Sequence, residues 1–429
     1  MKVVIIGVGS SCFGRGMLAD FFNARELYGQ GLELNLVDID QQRLERMTRL
    51  AHRMNEFTGA KYTLHSTTNC REALPGAQYV LVAVSQHRYA LWEQDYRVPF
   101  ALGFRHVLGE NGGPGALFHS LRSLNLLIPI CRDIEELCPD ALLLNFTNPE
   151  ARVLHAVNHL TKVRAIGLCH GVFSVENLIC KYLQTKQEQI ELTSAGMNHF
   201  YCVLKVVDKR TGQDCLPELV QMAKADLTAP PLFRKLAQVF DIITFPSDDH
   251  VGEYLSYGAE YHDNRWPYGQ ESRKAGSVAP GQLDVAIDAV VTGGAPVTPE
   301  IMSPSYEIAI PAILDMKLNR GIRRQAVNVL NDKGYIENLP RRATIEVPAV
   351  MDARGVHPII VGPVPEPMAA YMRTQFSIHE LVTEAYRTSS RKLALQALLL
   401  DPCVNSIAAA EELLDVMLKL QKDYLPSLK

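Results

Sequence analysis

The chain has 429 residues, 47% of them hydrophobic, and a formal net charge of −4. That length supports a large core, expected in two lobes, and so mild a charge argues against a nucleic-acid or membrane surface. No apolar run reaches membrane-spanning length, the N-terminal "KVVIIG" reads as a strand rather than a signal peptide, and nine cysteines without a short repeat read as reduced thiols of a cytoplasmic protein.

In chain order, residues 2–6 form an apolar strand that stops at Gly7, and a helix is expected from about Gly14 to Tyr28. "LELNLVDID" alternates and ends in acids, as a second strand would. "QQRLERMTRLAHRMNEF" has helical period. "AQYVLVAVS" reads as a buried strand, and a long helix, "LFHSLRSLNLLIPICRDIEELC", follows the glycine-rich "GENGGPG". "DALLLNF" and "VRAIGLC" are further apolar strands. Alternating strands and helices predict an α/β fold with a doubly wound parallel sheet. Past residue 190 the pattern changes to long antiparallel strands in "ELTSAGMNHFYCVLKVVD", then helices and irregular loops. We therefore expect a Rossmann-like domain over 1–190 and an α+β lobe over 191–429, with the boundary between 185 and 195.

"GVGSSCFGRG" begins where the first strand stops. Gly7 permits the tight turn, and Gly9 lets the backbone approach a pyrophosphate at a helix N-terminus. Ser10 and Phe13 continue this candidate cofactor-binding turn. The third fingerprint position falls on Cys12, so the match is partial. Asp38, at the end of the second strand, is placed to hold the ribose hydroxyls of NAD and to disfavour NADP. Its alternative task is to cap the helix that starts near Asp40.

"NFTNPEARV" (Asn145–Val153), "GLCHGVF" (Gly167–Phe173), "GMNHF" (Gly196–Phe200), "NLP" (338–340), "IEVPAVMDARGVHP" (345–358) and "ALLLDP" (397–402) follow one another in an order that resembles glycoside hydrolase family 4 over essentially the whole chain. The resemblance implies a fold related to lactate and malate dehydrogenases, a requirement for NAD and a divalent metal, usually Mn2+, and a homodimer or homotetramer. It implies a redox-neutral hydrolysis rather than the two-carboxylate scheme. C3 of the sugar is oxidised, a base takes the C2 proton, the leaving group departs from C1, water adds, and C3 is reduced again.

Cys169 and His199 match the two metal-binding positions of that family. His170 matches the neighbour on the leaving-group side, as a general acid or as an orienting hydrogen bond. Asn148 resembles a residue that contacts the sugar hydroxyls, or it forms an Asn-Pro turn. In "PSDDHVGEYLSY" the C2 base is expected at Asp248, with Asp249 and Tyr254 as alternatives, and His250 is expected to bind substrate or metal. Cys-His-Gly-Val resembles the branch acting on unphosphorylated α-glycosides, with an α-glucuronide or α-galacturonide as the leading expectation. Arg265, Arg273 and Lys274 could hold such a carboxylate. Asn111 and Ala116 in "GENGGPGAL", and "QHRYALWEQD", depart from the family pattern in loops expected to border the sugar. The alternatives are an α-galactosidase or α-glucosidase of the same family, a lactate/malate-type NAD dehydrogenase, or a non-catalytic sugar or nucleotide sensor.

Overall fold

The computed structural model describes residues 1–263, 265–268 and 280–429. The N-terminal half alternates as the sequence pattern requires: β1 (Lys2–Ile6), α1 (Phe13–Asn23), β2 (Glu33–Val37), α2 (Gln41–Thr58), β3 (Thr63–Thr67), α3 (Cys70–Ala73), β4 (Tyr79–Val82), α4 (Arg88–Ala101), α5 (Gly115–Leu137), β5 (Leu142–Asn145), α6 (Glu150–Leu160), β6 (Arg164–Gly167) and α7 (Gly171–Leu183). The remainder comprises β7 (Ile190–Met197), β8 (Phe200–Asp208), α8 (Leu216–Ala225), α9 (Pro231–Phe240), α10 (Asp248–Gly252), α11 (Pro280–Val291), α12 (Ala309–Lys317), β9 (Ile322–Leu330), β10 (Thr344–Asp352), β11 (Gly355–Pro358), α13 (Glu366–Thr388), α14 (Arg391–Leu400) and α15 (Ile407–Leu420).

The strands run β3-β2-β1-β4-β5-β6-β9-β10-β7-β8, with β11 paired to β10. The first six are parallel, in the order of a dinucleotide-binding sheet. From β9 onward the neighbours are antiparallel, and β6 meets β9 at Gly167–Asn328. The expectation of helices and loops after β8 is corrected here: β9, β10 and β11 lie in that stretch and extend the same sheet. We propose residue 190, where β7 starts, as the division between the two sequence-defined domains.

Alternation on β1 packs both faces of the sheet. Val3 and Ile5 join one buried cluster with Met17, Leu18 and Leu44, while Val4 and Ile6 join a second with Phe118, Leu121 and Leu124 of α5. Among the described residues, no helix is long and apolar enough to cross a membrane. All nine cysteines carry free thiols.

Candidate active site

The nucleotide end is built as a close-approach turn. Gly7 has φ +89°, and a Cβ there would fall 2.1 Å from Ala83 O. The N–H of Gly9 donates to Asp38 Oδ2 at 2.8 Å, and a Cβ on Gly9 would meet that oxygen at 2.6 Å. The packing task of a third fingerprint glycine is performed by Gly14 rather than Cys12, because a Cβ on Gly14 would lie 1.8 Å from Val8 O. Ser10 Oγ accepts from the N–H of Phe13 at 3.1 Å and so serves the start of α1. The Phe13 ring packs on Phe146, with centroids 5.2 Å apart, next to the loop carrying Asn148. Asp40 caps α2 through Gln42 and Arg43. Asp38 is thereby left at the strand end, engaged with Gly9 and the N–H of Asp40. A cradle that any Cβ would fill, at a helix N-terminus and beside an acid, fits a dinucleotide.

Cys169 follows β6 and precedes α7. His199 occupies the two-residue turn between β7 and β8, in the left-handed region at φ +62°. Such a conformation is uncommon for a non-glycine residue and clusters at functional positions. Cys169 Sγ lies 3.3 Å from His199 Nε2 and accepts from the N–H of Gly171 at 3.3 Å. Donors at the usual metal–thiolate and metal–imidazole lengths are spaced by about 3.1–3.6 Å when they share one ion, for angles between octahedral and tetrahedral. Burial drives the His199 pKa well down, which keeps its ring neutral and able to ligate. Burial, with the charges of Glu346 and Glu307, pushes the Cys169 thiol up. A thiolate in this setting needs a cation, and the donor pair fits a divalent metal.

Glu346 on β10 was not singled out from the sequence. It accepts from Asn198 Nδ2 at 3.1 Å and Asn328 Nδ2 at 3.2 Å, and burial raises its pKa to about 7. The signal was available: a lone acid inside the apolar strand "TIEVPAV" is costly to bury without a task.

His170 Nδ1 is 2.8 Å from Glu307 Oε1, and that bond raises the His170 pKa against the opposing effect of burial. His250 meets His199 edge-on at 4.6 Å between ring centroids. His250 Nδ1 lies 2.9 Å from Asp249 Oδ1, and Ser247 Oγ bonds the same oxygen. Burial opposes charge on both partners. The mutual bond and attraction outweigh it, raising His250 and holding Asp249 well below the usual carboxylate range.

The other base candidates are occupied elsewhere. Asp248 accepts from the N–H groups of Leu232 and Phe233, at 2.9 Å each, and so caps α9 from a distant segment. The Tyr254 hydroxyl is buried and donates to Asn198 O at 3.2 Å. Burial and Glu253 drive its pKa well above the usual tyrosine value.

Past the end of β5, Asn148 Nδ2 donates to Glu110 Oε1 at 3.2 Å, and Arg88 donates to the same oxygen at 3.1 Å. Arg88 also lies over the Trp92 ring, 5.5 Å from its centroid. Glu253 accepts from the N–H groups of Glu110 and Asn111 at 2.6 and 3.1 Å, and burial beside Glu110 raises its pKa to about 8. Asn111 is thus an anchored loop residue. Ala116 is fully buried in the first turn of α5. Arg265 is exposed, while Arg273 and Lys274 lie outside the described residues.

The description "Family 4 glycosyl hydrolase" matches residues 2–185, and that of the family's C-terminal domain matches residues 194–404. The chain is 31% identical to an α-glucosidase of Erwinia rhapontici, covering 100% of this chain and 99% of that protein. It is 28% identical to an α-galactosidase of Bacillus subtilis, with 100% of both chains covered. A crystal structure of a 6-phospho-α-glucosidase from gut microorganisms, in complex with NAD and Mn2+, superimposes with a TM-score of 0.87 at 22% identity, covering 100% of this chain and 99% of that one. With both family models matched and a relative 31% identical over the whole of this chain, the chain belongs to family 4 of the glycosyl hydrolases.

Proposed function

We propose that this chain is an NAD- and divalent-metal-dependent α-glycosidase, with Mn2+ as the first candidate ion, that cleaves unphosphorylated glycosides without net redox change. The observation that carries the reading is the meeting of Cys169 and His199 at 3.3 Å, on the sheet that also presents the Gly7–Gly9–Asp38 turn. When bound, the nicotinamide accepts and returns a hydride at C3, while the ion stabilises negative charge on the neighbouring sugar oxygens.

The chain's own residues supply positioning and proton transfer. Gly7, Gly9, Ser10, Phe13 and Asp38 hold the dinucleotide, and Cys169 and His199 hold the metal. Asn148, fixed by Glu110, orients sugar hydroxyls. His170, its Nδ1 bound to Glu307, is placed as the acid for the departing oxygen. The C2 proton goes to the Asp249–His250 pair rather than to Asp248, whose carboxylate is committed to α9.

The substrate reading rests on charge and on relatives. Arg88 is already neutralised by the buried Glu110, which disfavours a phosphate dianion beside it. An α-glucosidase and an α-galactosidase are among the similar proteins. We therefore place a neutral α-hexoside first and an α-uronide second. Nitrophenyl α-glucoside, α-galactoside, α-glucuronide and 6-phospho-α-glucoside, assayed with NAD, Mn2+ and thiol, test the order. Turnover in heavy water should leave deuterium at C2 of the released sugar. Full-rate product without deuterium would mean direct displacement, and a clear preference for the 6-phosphate would overturn the substrate assignment.

A further inference from the structure

A second cluster of ligand-type side chains lies between α6 and α13, apart from the residues of the proposed reaction. His155 and His159 are four residues apart on α6 and therefore share a face. Their rings stack at 4.1 Å between centroids, 25° from parallel. Glu380, on α13, reaches across, and its Oε2 lies 3.0 Å from His155 Nε2. One ligand atom from each of the three residues falls within 4.8 Å of the others.

Several details prepare these atoms for a cation. His159 Nδ1 lies 2.8 Å from the carbonyl oxygen of His155. That contact requires the proton on Nδ1 and leaves the lone pair on Nε2, the arrangement metal-bound histidines use. Burial lowers the His159 pKa, so the ring is neutral near pH 7. The His155 bond, helped by Arg342 and opposed by burial, holds Glu380 at about 2, so it is a carboxylate. Arg342 binds the other oxygen, Oε1, at 3.0 Å and fixes the carboxylate's orientation. His155 is 1% exposed, and its Nδ1 has no hydrogen-bond partner among the described residues. Glu380 and His159 are only partly buried, which leaves an entry path and room for a water as fourth ligand.

We propose that His155, His159 and Glu380 form a second divalent-metal site that ties α6 to α13. Two imidazoles and one carboxylate select a borderline ion of the zinc or nickel class, whereas Mn2+ and Mg2+ favour oxygen-rich sites. The ion's task is structural: α6 begins two residues after Asn148, and clamping it to α13 steadies that end of the sugar pocket.

The full-length chain carrying Cys169→Ser and His199→Ala removes competition from the first pair. After chelator treatment it is titrated with Zn2+ against a chromophoric chelator, and with Co2+ by visible absorption. The expected result is one zinc per chain, a cobalt spectrum of four-coordinate type without thiolate charge transfer, and a melting temperature raised by about 3 °C at a hundredfold excess over Kd. Mn2+ at the same concentration should leave the melting temperature unchanged. Adding His159→Ala or Glu380→Gln should weaken zinc binding by ~10-fold or more. If His159→Ala lowers the zinc-free melting temperature, His159→Asn is read in its place. Absence of saturable zinc binding, or binding indifferent to these substitutions, overturns the site.

Discussion

The Asp249 carboxylate holds His250 Nδ1 at 2.9 Å, leaving the imidazole edge toward His199. Two adjacent acids in the sequence therefore have separate tasks. Asp249→Asn should reduce turnover and C2 exchange together by ~100-fold or more, since it removes the partner that orients the imidazole and strengthens it as a proton acceptor. Asp248→Asn should leave turnover within a few-fold of wild type and cost roughly 1 kcal/mol of stability through the cap of α9. Rates, C2 washout and thermal melts on both variants decide it. A collapse of turnover in a stably folded Asp248→Asn protein would return the base to Asp248.

Replacing either member of the metal pair should separate the two cofactors. Cys169→Ser and His199→Ala should each lose Mn2+ binding by ~10-fold or more, with NAD affinity little changed. Equilibrium dialysis with Mn2+ and fluorescence titration with NAD measure the two sides independently. Oxidation of the Cys169 thiol should inactivate, and reductant should restore activity if the sulfur has gone no further than sulfenate or disulfide. Unchanged Mn2+ binding in both variants would remove the pair from the metal site.

At the nucleotide end the effects should be graded. Asp38→Ala removes the acid proposed to hold the ribose and should raise the NAD Kd by ~10-fold while narrowing discrimination against NADP. Gly14→Ala forces a Cβ toward a position 1.8 Å from Val8 O and should destabilise the protein by about 1–3 kcal/mol. A Gly14→Ala protein melting at the wild-type temperature would show that the turn yields without cost.

Glu253 gives the stability a pH dependence of known sign. Burial raises its folded pKa to about 8, against an ordinary value of 4.5. Between those limits the native state holds a proton that the unfolded chain has released, so stability falls as pH rises through that window. Glu253→Gln keeps an acceptor for the N–H groups of Glu110 and Asn111 and removes the titration. Its melting temperature should decline less than that of wild type between about pH 5 and pH 8. Parallel curves for the two proteins would place the proton elsewhere, with Glu346 the next buried acid to replace.

The Rossmann-like half was legible because each central strand is a short apolar run ended by a turn signal. Less legible was β3, an edge strand whose "TLHST" is largely exposed and carries little hydrophobic pattern. The β9–β10 pair was missed because its strand residues are separated by the loop around "NLP" and its register shifts between Val347 and Ala349. The pairing of Cys169 with His199, which meet at 3.3 Å, came from family resemblance, since thirty residues of separation give no local metal signature. Adjacent acids look alike in one dimension, so the expectation of Asp248 as the base had no local signal to separate it from Asp249. Only the packing of α9 against α10 shows that one of them caps a helix.

The seam between β6 and β9 bears on how the protein is made. Among the described residues, the hairpin bearing His199 joins the parallel strands of the sheet only by way of β9 and β10. Those strands leave the ribosome more than a hundred residues after the hairpin itself, as their positions at 322–330 and 344–352 require. A nascent chain can thus complete its nucleotide-binding strands while the thiol and imidazole still lack their common setting. Pairing across so long a loop is slow and leaves strand edges open meanwhile. Competence to hold the first metal should therefore appear late in synthesis, as a marker that the whole sheet has closed.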